Sequence, residues 1–162
     1  MGKQSSYDAY LRLIAINSDA SMLASLAAAE ELKKNRGSIV FVSSVLSKMA
    51  LHKFYGYSAS KAAMTMFARC LALDLAPHVR VNVCSPGPVQ TRFHEGLGHT
   101  SEEQFRTTFN KTTLGNQVAK PEDIASVVYF LASDESKFIN GHDMMVDDGF
   151  LIKPAVPPLA LD

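Results

Sequence analysis

The chain has 162 residues, is 47% apolar and carries a formal net charge of +0, so it can bury a core and has no charge bias toward nucleic acid or an anionic membrane. No apolar run reaches the ~18 residues of a membrane span, and the N-terminus lacks a secretory hydrophobic stretch. Cys70 and Cys84 are too far apart to form a motif and read as buried small hydrophobes, which predicts a cytoplasmic or otherwise reducing setting.

In chain order, the apolar spacing of Leu11, Ile14, Met22, Leu23, Leu26 and Leu32 predicts one long helix over 7–34, stopped by Asn35-Arg36-Gly37. A β-branched apolar strand follows at 38–43. Residues 57–76 read as a second helix, apolar on more than one side and ended by Pro77. A strand at 79–84 comes next, then a polar stretch over 88–119 with one short helix near 102–109. Pro121 opens a third helix over 121–132, with Glu122 and Asp123 in its first turn, and a last strand is expected at 143–147. Strands alternating with helices over short connections predict a parallel sheet of about three strands flanked by helices. The domain is expected over 1–150, with a Pro-rich tail over 151–162.

The chemistry concentrates in Tyr57-Ser58-Ala59-Ser60-Lys61, with Ser44 thirteen residues before the tyrosine and Asn17 twenty-seven before that serine. Tyr and Lys four apart on a helix lie on one face, so the ammonium can sit near the phenol. Lowering a phenol by ~3 units from ~10 needs about 4 kcal/mol, which one positive charge about 4 Å away supplies at an effective dielectric of about 20. Tyr-x3-Lys alone is expected about 0.3 times by chance in this composition, but adding the Ser and Asn at fixed offsets brings the expectation to roughly 0.001.

Those offsets resemble the short-chain dehydrogenase/reductase family, and the likeness runs from about Asn17 to Gly149. Gly37-Ser38-Ile39-Val40-Phe41-Val42-Ser43-Ser44 resembles the family's strand that delivers the catalytic serine, and Arg80-Val81-Asn82-Val83-Cys84-Ser85-Pro86-Gly87 the next one. The stretches from Lys120 to Ala125 and from Val146 to Gly149 resemble its last helix and strand. The resemblance implies a Rossmann-like, doubly wound α/β fold, present here in part, and an NAD(P)-dependent oxidoreductase that interconverts a small-molecule carbonyl and alcohol.

It also implies roles. Tyr57 is the acid or base, Lys61 lowers its pKa and holds the nicotinamide ribose, Ser44 donates to the developing alkoxide, and Asn17 holds a water relaying protons to Lys61. Pro86, Gly87, Val89 and Thr91 lie against the nicotinamide of NAD or NADP, and 88–119 covers the substrate. Ser43 is the alternative to Ser44, on the opposite face if the strand continues that far.

What the 162 residues omit is the glycine-rich strand–turn–helix that binds a cofactor pyrophosphate; by resemblance the first four strands are absent, and the isolated chain is expected to bind cofactor weakly. Gly96-x-Gly98 sits in a polar loop and reads as a turn. His94 and His99 read as loop histidines with no metal bound, Tyr55 as a pocket wall or packing aromatic, and Asp148 as a substitute for the family's usual glycine. The helices over 7–34 and 57–76 are the family's oligomer-forming pair, which implies a homo-oligomer. It also opens a second reading, an inactive protein that acts by associating with a complete relative.

Overall fold

Three short apolar segments form one parallel sheet: β1 (Ser38–Val42), β2 (Arg80–Pro86) and β3 (Asp143–Val146), in the order β1-β2-β3. The computed structural model describes residues 3–96 and 101–153. Ser38 pairs with Arg80 and Val42 with Cys84 along the first ladder, and Val83 with Asp143 along the second. Side chains alternate across the sheet, and both faces are apolar. Phe41, Val81 and Val83 enter one core with Ala29, Met64, Ala68, Leu71 and Leu75, whereas Val40, Cys84 and Met144 enter another with Ile124 and Leu131.

The first core is covered by α2 (Ala20–Asn35) and α3 (Tyr55–Leu75), the second by α6 (Pro121–Ala132). Helices on both faces of a parallel sheet make this a partial Rossmann-like, doubly wound α/β fold. α3 stops at Ala76, whose extended backbone is what the following Pro77 demands. Arg80 secures the far end: its guanidinium donates to the carbonyls of Leu131, Ser133 and Ser136, covering C-terminal carbonyls of α6 and the turn after it.

The expected helix over 7–34 is not continuous. α1 (Lys3–Ile14) and α2 are joined by a π-helical turn, Ala15–Asp19, that contains Asn17. The physical reason lies in its contacts with α3: the Ser18 hydroxyl donates to the Ser60 carbonyl at 2.7 Å and Asn17 Nδ2 donates to Ser60 Oγ at 3.0 Å. A regular helix spaces consecutive residues about 100° apart, and the wider turn lets both reach one partner. Strand bounds move by a residue or two, to 38–42, 80–86 and 143–146, and α3 begins at Tyr55. Cys70 is exposed, contrary to expectation, and only Cys84 is buried. The stretch 88–119 carries α4 (Phe93–Gly96) besides α5 (Glu102–Phe109). Gly98, His99 and the tail beyond Lys153 lie outside the described residues.

Leu131 is 0% exposed, at the centre of the second core. Leu131→Ala is expected to destabilise the fold by about 2–5 kcal/mol, seen as a lower urea midpoint with unchanged slope.

Candidate active site

The C-terminal ends of β1 and β2 open onto a cavity of about 530 Å³. Ligands of open parallel sheets bind at this end. Ser44, Tyr57, Lys61, Pro86, Gly87, Val89 and Thr91 all line it. The first turns of α3 present Tyr57 and, one turn on, Lys61, while the chain leaving β1 presents Ser44.

Ser44 is the side chain that acts on the Tyr57 phenol to favour its ionised form, and its hydroxyl accepts from the Leu46 amide at 3.2 Å, which fixes its rotamer. Ser43 faces elsewhere: its hydroxyl lies 3.1 Å from the Lys61 carbonyl and 2.9 Å from Thr65 Oγ1. Of the two adjacent serines, the structure brings Ser44 to the phenol.

The electrostatics depart from expectation. Burial raises the Tyr57 phenol above its ordinary value, and the bond from Ser44 offsets this only in part. Burial likewise lowers Lys61. The ammonium lies 5.7 Å from the tyrosine ring centroid and donates at 2.9 Å to the carbonyl of Val42. Strand geometry accounts for that bond. The Ser43 amide and Gly37 carbonyl both pair with β2, so by alternation the polar backbone groups of Val42 face away from β2, at the free edge of the sheet, where Lys61 meets them.

Asn17 is displaced from the others. It lines a second cavity of about 480 Å³ between the α1–α2 region and the β1 edge, and this cavity shares only Val42 and Lys61 with the first. Its carbonyl accepts from the Ser21 hydroxyl at 2.9 Å, so both its amide and its carbonyl have protein partners.

Beyond β2, Val89 bridges to Ala119, and the Gln90 amide donates to the Ala119 carbonyl at 2.8 Å, fixing the segment that carries Thr91. Thr91 Oγ1 accepts from the Phe93 amide at 3.3 Å. Gly87 has a local reason of its own: a Cβ there would meet Asp147 Cα and Cβ at 2.9 Å. Asp148 adopts φ 45°, and its carboxylate accepts from the Gly115 amide at 2.8 Å, so the turn forms without the usual glycine and ties β3 to the covering segment. Tyr55 is exposed and does not line the cavity, which corrects the expectation of a pocket wall.

Sequence reading missed an anchor beneath the site. The buried Asp143 carboxylate accepts from Ser85 Oγ at 2.5 Å and meets Lys48 Nζ at 3.0 Å, tying β3 to the segment after Ser44; burial first, and the Asp143 charge second, push the Cys84 thiol up to about 11. These residues are distant in sequence, and no spacing signals them. It also missed the aromatic lining: Phe93 and Phe54 lie 5.5 and 6.3 Å from Tyr57, centroid to centroid, and Phe105 packs on Phe109 at 4.7 Å.

Among the described residues, no cluster of three or more metal-ligating side chains occurs, and no helix is long and apolar enough to cross a membrane.

Comparison with known proteins identifies the family. The family model described as enoyl-(acyl carrier protein) reductase matches residues 3–151. The chain is 35% identical over 150 residues to NADPH-dependent aldehyde reductase 2 of Arabidopsis thaliana, covering 91% of this chain and 54% of the relative. It is 33% identical over 141 residues to a cyclopentanol dehydrogenase of a Comamonas strain, covering 86% and 56%. Among solved structures, Thermoplasma acidophilum aldohexose dehydrogenase aligns with a TM-score of 0.88 at 28% identity, over 98% of this chain and 64% of that one. The chain therefore spans little more than half the length of these relatives. With the family model matched from end to end of the sheet and helices, the chain belongs to the short-chain dehydrogenase/reductase family.

Proposed function

We propose that the chain serves an NAD(P)-dependent oxidoreductase that interconverts a small-molecule carbonyl and its alcohol. The observation carrying this reading is the shared cavity wall of Tyr57, Ser44 and Lys61, with Ser44 as the neighbour that favours the ionised phenol. Tyr57 hands its phenolic proton to the substrate oxygen in reduction and recovers it in oxidation. Ser44 hydrogen-bonds the same oxygen as charge develops on it.

The residues present suit the nicotinamide end of a cofactor. Lys61 has N–H donors beyond the one given to Val42 and is placed to hold the ribose, and Pro86, Gly87, Val89 and Thr91 form the wall for the ring. When bound, the nicotinamide supplies or accepts hydride. Asn17 acts through α3, positioning Ser60 and the motif around it and holding a water toward Lys61 in the cavity they share. NAD or NADP serves equally in this reading, and the location is cytoplasmic.

The test is isotopic: in a form with a complete cofactor surface, with 4,4-dideuterated NAD(P)H and a ketone, deuterium is expected at the carbinol carbon of the product, and a product without it would refute the assignment.

A second reading rests on a separate observation. Ile16, Leu23 and Leu26 of the α1–α2 region and Met66 and Leu73 of α3 are exposed, Leu73 by 80%. Exposed apolar residues on packed helices suit a homo-oligomer, or association of a non-catalytic chain with a complete relative. The free β1 edge adds a second self-associating surface. Light scattering is expected to find a species larger than the 17.6 kDa monomer, and Leu23→Glu with Leu73→Glu should shift it toward monomer. An unchanged mass would remove the helical interface.

A further inference from the structure

The lining of the main cavity is divided unevenly between polar and apolar groups, and this bears on the substrate. This inference rests on the redox reading above. The polar side chains on its wall are two serines, a threonine, the Tyr57 phenol and Lys61. Ser43 is committed to α3, Ser44 and Tyr57 share the cavity wall and are taken by the reacting oxygen, and Thr91 Oγ1 accepts from the Phe93 amide at the start of α4. Among the described residues Lys61 is the sole charged side chain there, and no carboxylate, arginine, histidine, asparagine or glutamine lines the cavity.

The rest is hydrocarbon. Phe54 and Phe93 flank the Tyr57 ring, Phe105 and Phe109 pack on each other farther along the wall, and Leu51 lies on the segment following Ser44. The space of about 530 Å³ is shared with the nicotinamide end placed against Pro86, Gly87, Val89 and Thr91, so the substrate that shares it is compact.

A polyol brought here would exchange its water for carbon at every hydroxyl but the reacting one, and a buried hydroxyl without a partner is penalised. A carboxylate or phosphate would find one cation, already placed for the ribose. A compact hydrocarbon frame bearing a single carbonyl leaves no polar group unmatched, because its one oxygen meets Tyr57 and Ser44 while its carbons displace water from the aromatic walls. We infer that the substrate is an apolar cyclic or aromatic ketone or secondary alcohol with one reacting oxygen, and not a sugar, a polyol or an anionic acid. Phe93 and Leu51 set that specificity by contact with the hydrocarbon.

The experiment is a pair of titrations on the cofactor-free chain, 2-decalone against D-sorbose, followed by ligand-observed nuclear magnetic resonance. Decalone is expected to bind saturably and at least tenfold more tightly than sorbose. Phe93 and Leu51 are 48% and 41% exposed, so Phe93→Ser and Leu51→Ser leave the cores intact, and circular dichroism checks this. Each is expected to weaken decalone at least fivefold. Sorbose binding as tight as decalone, or decalone affinity unchanged in both variants, overturns the inference. The two readings fail separately. Decalone binding that survives in Tyr57→Phe, without deuterium transfer in a form with a complete cofactor surface, counts against the redox reading and sustains the apolar ligand class. Deuterium transfer to a sugar with no decalone binding sustains the redox reading and sinks this one.

Discussion

Replacing Tyr57 by Phe is expected to lower turnover of a carbonyl substrate at least about a hundredfold, the low end of what a positioned acid or base contributes. The measurement belongs in a form with a complete cofactor surface, on a longer chain or through a partner. The ring contacts with Phe54 and Phe93 survive the change, so the fold should be unaffected and circular dichroism should overlay. Turnover near the parent level would remove Tyr57 as the proton donor.

The pH dependence has a definite sign. Burial raises the phenol above its ordinary value near 10, so the protonated form persists through neutral pH. Reduction consumes that proton and should run flat across neutral pH, falling only at alkaline pH. Oxidation needs the deprotonated form and should rise with pH toward the same region. An activity loss in reduction centred near neutrality would show that the Lys61 charge, once its bond to Val42 is given up, dominates over burial.

The frame of the fold and the details of the site were not equally legible in the residues. The parallel sheet and most helix positions could be read because β1 is apolar and β-branched, β2 carries Val81, Val83 and Cys84, and the punctuation by Gly37, Pro77 and Pro121 is local, as turn and cap chemistry always is. Tyr57, Ser44 and the Pro86–Thr91 segment could be placed because their offsets are fixed by one helix face and two strand ends. Three features were not legible, each for the same reason. The π-helical turn at Asn17 exists because Ser60, forty-three positions away, accepts what Asn17 offers. The bond from Lys61 to Val42 depends on β1 being an edge, a property of the sheet and not of either residue. Asp143, Ser85 and Lys48 meet only after three separate segments have come together. Local periodicity carries no record of such meetings, whereas a recurring set of offsets does, which is why the family likeness reached the site and the propensities reached only the frame.

The largest effect expected is on the cofactor itself: the 162 residues, titrated alone, should bind NAD(H) or NADP(H) at millimolar concentration or not at all. The retained groups address one end. Lys61 and the Pro86–Thr91 segment suit the nicotinamide and its ribose, while the pyrophosphate is normally met by backbone donors of a glycine-rich turn at a helix N-terminus, and no Gly-x-Gly-x-x-Gly occurs in this sequence. Hydrogen bonds to a charged group are worth about 1.5–3 kcal/mol each, so losing two or three weakens a micromolar ligand by several orders of magnitude. The second cavity does not compensate. Besides Asn17, Ser21 and Ser25 its wall is made by Ile16, Ala24, Ala28, Leu32, Met64 and the β1 edge, and among the described residues Lys61 is its one cation, a poor setting for a doubly charged pyrophosphate. Calorimetry decides it: saturable binding at micromolar cofactor would mean that backbone donors elsewhere on the chain, with the edge of β1 the first place to look, receive the phosphates after all.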